Sequence, residues 1–321
     1  MKHPDRPRVL ITVNPGLIQG NRFSTVRSIV TALDACSNLL LLPIDEYDFK
    51  NKKARAYKRI AGGKFKFVKT ISPQADLWVV YTDGYYLDFR SLGFASPTAY
   101  IQAQMSFHLQ CEIAGKIGLV VNSVAGEKCT LKRFFATLDH RRFHTIETHI
   151  AKTTAEVADL QKKEGVLIAK PNWSGGGYGV EKLTSEKEVK DFCARSRLSE
   201  FCFQPLALGE EKRFWFAGNQ CVAARRIRNR RAPWMDKRPD GYLSRPYDAS
   251  AGGQFARDLK IAETMWARTG LSVGSVDFIG EQINELNGCG TTYIDYDGWQ
   301  KIVDARKPLV DYLVSVVRSL Q

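Results

Sequence analysis

The sequence predicts an α/β protein built of α/β and α+β lobes, and three observations carry that expectation. Short aliphatic runs at residues 9–13, 39–42, 77–81 and 118–121 alternate with segments of helical periodicity, as the strands of a buried parallel sheet do. From residue 213 onward, strand-like runs are instead joined by tight-turn residues, the pattern of antiparallel pairing. A length of 321 residues exceeds what one hydrophobic core usually organises, so we expect two or three lobes.

The first unit spans residues 1–123. Its run 9–13 is continuously apolar and reads as a strand. Ser24 or Thr25 can cap a helix over 24–35, whose Val26, Ile29, Val30 and Leu33 share one face. The stretch 49–69, containing NKKARAYKRIAGGKFKFVK, reads as an exposed helix and loop, because charge runs normally face solvent. A helix over 98–115 and a strand over 118–121 complete this α/β unit.

In the second unit, 124–205, a helix over 130–138 precedes a strand at 145–149. Thr153-Thr154-Ala155-Glu156 is a capping box that opens a helix over 153–163. Strands 166–169 and 179–183 flank a glycine-rich loop, 185–196 is helical, and the strand 201–204 runs into Pro205 as a hinge. The third unit, 206–321, opens with the runs 213–217 and 220–224, joined by the hairpin dipeptide Gly218-Asn219. A polar loop over 229–253, a helix over 255–268 and a strand pair, 272–279 and 283–287, follow.

Hydrophobic residues make up 44% of the chain and charged residues 25%, which is ordinary globular composition. No apolar run approaches the roughly 20 residues that a bilayer span needs. The polar, basic segment 1–8 leads straight into a strand, unlike a secretory leader, so we expect a cytoplasmic protein with no membrane partner. Seven cysteines without CxxC spacing read as reduced thiols. His140, His144 and His149 lie close together, but we expect no zinc site there for want of cysteine or acidic ligands. The net charge of +13 points to an anionic partner: nucleic acid, an acidic peptide or a phosphorylated small molecule. The excess is densest in RRIRNRRAPWMDKR, residues 225–238.

Three groups of residues carry chemistry. The first is Lys170-Pro171-Asn172-Trp173-Ser174-Gly175-Gly176-Gly177-Tyr178-Gly179. Its glycines let backbone N–H groups approach phosphate oxygens, and Lys170 supplies charge. No Gly-Lys-Ser/Thr ends the run, so it is not a Walker A loop. A strand follows rather than a helix, which excludes a dinucleotide fingerprint. A flap closing over a triphosphate fits; an ordinary flexible turn fits the glycines equally well.

The second group is Asp277, Glu285 and Asn287. Residues two apart on a strand share a face, and a turn near Glu281 sets Asp277 opposite Glu285. Two carboxylates and an amide oxygen suit magnesium. The alternative, a solvated hairpin face, is disfavoured by the apolar neighbours Val276, Phe278, Ile283 and Leu286. The third group is Glu210-Glu211-Lys212-Arg213 ahead of FWF, followed by Arg225-Arg226-Ile227. Arginine forks recognise phosphates and oxyanions, although taken singly such residues are mostly surface charges.

The order of these elements resembles the ATP-grasp superfamily, above all prokaryotic glutathione synthetase and RimK-type glutamate ligases. The resemblance runs from Lys132 in TLKRFFATL, through the flap, the strand 201–206, Arg213 and Arg226, to Asp277 and the Glu-x-Asn eight residues beyond it. It implies an ATP-grasp fold with a Rossmann-like N-terminal domain. It implies that Lys132, Lys170 and the flap glycines Gly175, Gly176 and Gly177 hold the phosphates of ATP. Gln204, Pro205 and Leu206 would meet the adenine and Glu210 or Glu211 the ribose. Asp277, Glu285 and Asn287 would hold a pair of magnesium ions, with manganese as a substitute. Arg213 and Arg226 would be the catalytic arginines, on the transferring phosphoryl group and the later oxyanion.

The activity so implied is ATP-dependent joining of a carboxylate to an amine through an acylphosphate, on an amino acid or an acidic peptide. One departure is Gly288-Cys289-Gly290-Thr291-Thr292, where the family often has a Pro- or Ser-containing acceptor loop. Two other readings stay open. A kinase on the same fold would move phosphate to a hydroxyl of an acidic small molecule. A nucleic-acid or acidic-peptide binding protein would use the basic stretches 50–69 and 225–238, with nucleic acid the weaker candidate for lack of a recognised binding fold. By prevalence, a homodimer is the default oligomer.

Overall fold

The computed structural model of the chain describes residues 6–13, 24–60, 64–80, 93–95, 97–113, 116–173, 179–229, 242–288, 293–297 and 300–321. The N-terminal elements are β1 (Arg8–Val13), α1 (Ser24–Cys36), β2 (Asn38–Pro43), β3 (Tyr47–Asp48), β4 (Lys53–Arg59), β5 (Phe65–Ile71), β6 (Ala75–Val80), α2 (Pro97–Ile113) and β7 (Ile117–Val121). The sheet order is β3-β4-β2-β1-β6-β7, with β5 added to β4. β1 runs parallel to β2 and β6, and β6 parallel to β7, as the aliphatic runs predicted. Such strands are apolar throughout because both faces are covered.

The basic stretch differs from expectation. Instead of a helix and loop it forms the antiparallel pair β4–β5. The signal was present in β4, where Ala54, Ala56 and Tyr57 are buried between exposed Lys53, Arg55 and Lys58. That is nearly the period of a strand, and it outweighs the charge.

The middle of the chain contains α3 (Val124–Lys128), a 3-10 turn (Lys132–Thr137), α4 (His140–Phe143), α5 (Thr154–Glu164), β8 (Leu167–Pro171), β9 (Glu181–Leu183), α6 (Glu186–Arg195) and β10 (Phe201–Pro205). The strands form a small antiparallel sheet, β10-β8-β9, under α5 and α6, with Val157, Leu167, Phe192 and Phe203 at its centre. The capping box forms as read: the Thr153 hydroxyl accepts from the Glu156 N–H and the Glu156 carboxylate accepts from the Thr153 N–H. Two expectations are corrected. The helix expected over 130–138 is the shorter 3-10 turn. The strand expected at 145–149 makes only single bridges, Thr145 to Ile283 and His149 to Phe203, because the segment crosses between two sheets.

The C-terminal elements are β11 (Glu211–Ala217), β12 (Gln220–Asn229), β13 (Tyr242–Pro246), α7 (Gly253–Thr269), β14 (Val273–Ile279), β15 (Gln282–Asn287), β16 (Ile294–Asp297), β17 (Gln300–Asp304) and α8 (Arg306–Arg318). Five strands form the sheet β13-β12-β11-β14-β15. Gly218 takes the positive φ of 60° that the β11–β12 turn requires. Part of the expected polar loop is the edge strand β13, while 230–241 lie outside the described residues. α7 covers one face of the sheet, with the Trp266 ring stacked on Phe216 at 4.7 Å.

Two contacts join the ends of the chain. Leu309, Leu313 and Val317 of α8 enter the same core as Ile29 and Leu33 of α1 and Val9 and Ile11 of β1. Each is almost fully buried, which stabilises by about 1.5–3 kcal/mol per side chain. Asn122, just after β7, accepts from the Ser272 and Val273 N–H groups at 2.7 and 2.8 Å and donates to the Val273 carbonyl at 2.8 Å. It thereby ties the end of β7 to the start of β14. The cysteines within the described residues are free, as expected. No helix among those residues is long and apolar enough to cross a membrane.

Candidate active site

The site is built on the face of the C-terminal sheet opposite α7. Antiparallel register sets Arg213 beside Asp277 and Asp277 beside Glu285, with Ser275 beside Asn287. Directly opposed residues point to the same face, so these side chains form one polar patch. The Arg213 guanidinium grips Asp277 with both arms, Nε to Oδ1 at 2.8 Å and Nη2 to Oδ2 at 2.5 Å. The Asn287 amide donates to Asp277 Oδ2 at 3.1 Å and to the Ser275 hydroxyl at 3.3 Å. The expected pairing of Asp277 with Glu285 is therefore present.

Lys132 and Lys170 approach this patch from the middle of the chain. Lys132 Nζ lies 3.5 Å from Glu285 Oε2, and Lys170 Nζ donates to Asn284 Oδ1 at 2.6 Å. Asn284 reaches that position through a bulge: Asp277 opposes Glu285 while Phe278 opposes Ile283, leaving Asn284 as the extra residue. A bulge re-aims one side chain, which strict strand alternation does not foresee. Asn172 sets the two lysines side by side. Its backbone carbonyl accepts from the Lys132 N–H at 2.9 Å and its side-chain oxygen from the Arg133 N–H at 2.8 Å. Leu131 and Trp173, the neighbours of these anchors, pack against the N-terminal domain's core around Trp78 and Phe107.

Both lysines are buried, Lys132 to 6% and Lys170 to 8% exposure. Burial pushes the Lys170 ammonium down to about 8, against the pull of the Glu285 carboxylate. In the free protein Lys170 therefore loses its proton as pH rises through about 8. If it holds phosphate, ATP affinity should fall by about tenfold between about pH 7 and about pH 9.5, because only the charged form attracts the ligand. Lys170→Arg stays charged and should flatten the profile in a binding titration. An equally steep fall in that variant would remove Lys170 as its cause.

The remaining expected residues are dispersed around this patch. Arg225 stands opposite Arg213, on the patch side, with Nη2 3.7 Å from Glu211 Oε1. Arg226 stands opposite Lys212 and lies over the Tyr247 ring at 5.9 Å, on the face that α7 covers. Gln204 is buried and donates to the Thr148 hydroxyl at 2.8 Å, leaving its Oε1 buried without a hydrogen-bond partner. Pro205 ends β10, and the Leu206 N–H donates to the Val166 carbonyl at 3.3 Å. The Glu210 carbonyl accepts from the Gly280 N–H at 2.9 Å, fixing the 206–210 segment against the β14–β15 turn. Gly209 and Gly280 allow this approach, since a Cβ on either would come within 2.6 Å of the other segment's backbone. Gly175, Gly176 and Gly177 lie outside the described residues.

Asn284 and Ser275 are site neighbours that sequence reasoning did not name; Asn172 and Arg225 fell within its motifs but were given no role of their own there. Away from the patch, His149 meets Glu147 and Glu164, with ligand atoms within 4.8 Å of one another, so acidic partners are present that the sequence reading did not foresee. His140 and His144 do not join them, and Lys163 already pairs with Glu164 at 2.9 Å.

The patch suits a hard cation and a polyphosphate together. Asp277, Glu285 and Asn287 offer oxygen donors of the kind magnesium takes, two of them charged, on one sheet face. Lys132, Lys170 and Arg213 set three positive charges against those two carboxylates, leaving a net attraction for anions.

An α/β domain followed by two lobes, each with an antiparallel sheet and with these polar groups between them, is the ATP-grasp fold. The chain is similar to the ATP-grasp ligase PsnB complexed with minimal precursor, Mg and ADP, at TM-score 0.60 and 17% identity, covering 96% of this chain and 97% of that one. It is similar to the D-cycloserine synthetase DcsG at TM-score 0.61 and 14% identity, covering 96% and 99%. It is also similar to a RimK domain protein ATP-grasp from Sphaerobacter thermophilus DSM 20745, at TM-score 0.54 and 14% identity, covering 96% and 99%. No protein-family model matches the chain, and no curated protein matches it.

Proposed function

We propose that the protein is an ATP-dependent, magnesium-requiring ligase that joins a carboxylate to an amine through an acylphosphate. The observation that carries this reading is the convergence of Lys132 and Lys170 from one lobe on the Arg213, Asp277, Glu285 and Asn287 patch of the other. Similarity to PsnB, bound to a peptide precursor with Mg and ADP, supports it.

In this reading Lys132 and Lys170 hold the phosphates of ATP, and Asp277, Glu285 and Asn287 hold magnesium, which when bound neutralises phosphate charge. The substrate carboxylate oxygen attacks the γ-phosphorus and ADP leaves. Arg213 stands where the transferring group passes, and gives up part of its grip on Asp277 to reach it. The amine nitrogen then attacks the acyl carbon, phosphate departs with the C–O electron pair, and the amine's proton goes to solvent or phosphate. Arg225, on the patch side, is placed to support the oxyanion; Arg226, on the other face, is not, so in this reading the second arginine's role passes to Arg225. Gln204 to Leu206 border the adenine, and Glu210 or Glu211 meets the ribose.

The test is incubation with magnesium and ATP against amino acids and short acidic peptides, with mass spectrometry of the products. A condensed amide with ADP and phosphate is the expected result. A stable phosphorylated product without an amide would replace the ligase by a kinase.

A further inference from the structure

β5 is the outer strand of the β4–β5 hairpin. β5 pairs β4 over Phe65–Ile71, and among the described residues no other strand takes its far edge. Residues 66–70 are exposed throughout. Three apolar side chains of this arm stand in solvent: Ile60 at 44%, Phe67 at 41% and Val68 at 44% exposure. A sheet edge with open backbone donors and acceptors and apolar side chains is a template for another strand.

Charge decides which strand. Residues 49–75 contain nine lysines and arginines and no aspartate or glutamate. Arg55 pairs with Glu46 at 3.2 Å and Arg59 lies 3.9 Å from Asp34, but Lys64, Lys66 and Lys69 meet no acidic side chain among the described residues. A second copy adding its own β5 around a two-fold axis would bring two edges of the same positive charge together, which is repulsive. A nucleic acid would use the charge but leave Ile60 and Val68 in water. Its bases would also find Phe67 already engaged by the Tyr57 ring at 5.7 Å and the Arg55 guanidinium at 4.5 Å. A strand whose acidic residues alternate with apolar ones satisfies the edge, the charge and the apolar side chains together.

We propose that β5 binds an extended acidic peptide segment by strand addition. The docking is separate from the ATP-dependent chemistry, and binding is measured without nucleotide.

The probe is a fluorescent peptide of alternating Glu and Val, about eight residues long to match a strand, titrated by anisotropy against the whole chain. The same peptide with Gln for Glu should bind about tenfold more weakly or worse, and rising salt should weaken the acidic one. Lys66→Glu/Lys69→Glu should lower its affinity by about tenfold while leaving the melting temperature and ATP binding unchanged. A copy of the peptide N-methylated at every residue keeps the charge but offers no N–H to the edge from either side, and should bind more weakly by a similar factor. Equal binding of the N-methylated and parent peptides would overturn strand addition. So would a single-stranded oligonucleotide of equal charge binding as tightly and responding to the same variant, which would leave only a general polyanion surface. A concentration-dependent dimer abolished by the double variant would give the edge to self-association instead.

Discussion

Glu285→Gln is expected to abolish most turnover, on the order of a thousandfold, while leaving the fold intact. The substitution keeps the side chain's shape and removes its charge. Magnesium and the Lys132 ammonium, 3.5 Å away, then lose an anionic partner. Several kcal/mol of charge stabilisation at the transferring phosphate correspond to a loss of that size. Lys132 is buried beside it, with 7% of its side chain exposed, but the glutamine amide oxygen can still accept from that ammonium, so the fold should tolerate the change. Two measurements separate a metal role from a general disturbance. The magnesium concentration for half-maximal activity should rise, and the pH at which ATP affinity falls should move below about 8, since Glu285 is the carboxylate that raises Lys170. Near-normal turnover at the same magnesium concentration would defeat the assignment of Glu285 as a ligand.

Lys212→Met should lower stability by about 3–5 kcal/mol without lowering turnover per folded molecule. Lys212 and Asp258 form an ion pair at 2.6 Å with side-chain exposures of 3% and 0%, between the sheet and α7. The Tyr247 hydroxyl donates to the same Asp258 oxygen at 2.7 Å, and burial together with that bond raises the tyrosine's pKa. Removing the lysine leaves a buried carboxylate with a single phenolic donor, which is the costly way to break such a pair. Replacing both residues, Lys212→Met with Asp258→Leu, should recover much of the loss because no charge is then stranded. Denaturant midpoints of the single and double variants decide the matter. A single variant within about 0.5 kcal/mol of the parent would show that the pair contributes little.

Local physics was legible wherever one short segment settles its own conformation. The Thr153 box, the Gly218-Asn219 turn and the aliphatic parallel strands are of this kind. So is the pairing of Asp277 with Glu285, because a single tight turn fixes the register between them. The misses have equally specific causes. The β4–β5 hairpin was hidden by its lysines, although Ala54, Ala56 and Tyr57 already marked the buried side. α8 carries Leu309, Leu313 and Val317 at helical spacing, but Ala305 at its start offers no side-chain cap to announce it.

By itself the sequence determined the lobes' composition, the turn that brings two carboxylates together, and which residue types are available for phosphate and metal. Tertiary structure alone decided which of two adjacent arginines faces that patch, since Arg225 and Arg226 differ only in the register of β12 against β11. It likewise decided that a bulge presents Asn284 to Lys170, that Asn172 sets Lys132 beside it, and that Asn122 fastens the N-terminal domain to β14. Each of these rests on contacts between segments far apart in the chain, where no local preference fixes the phase of one strand against another.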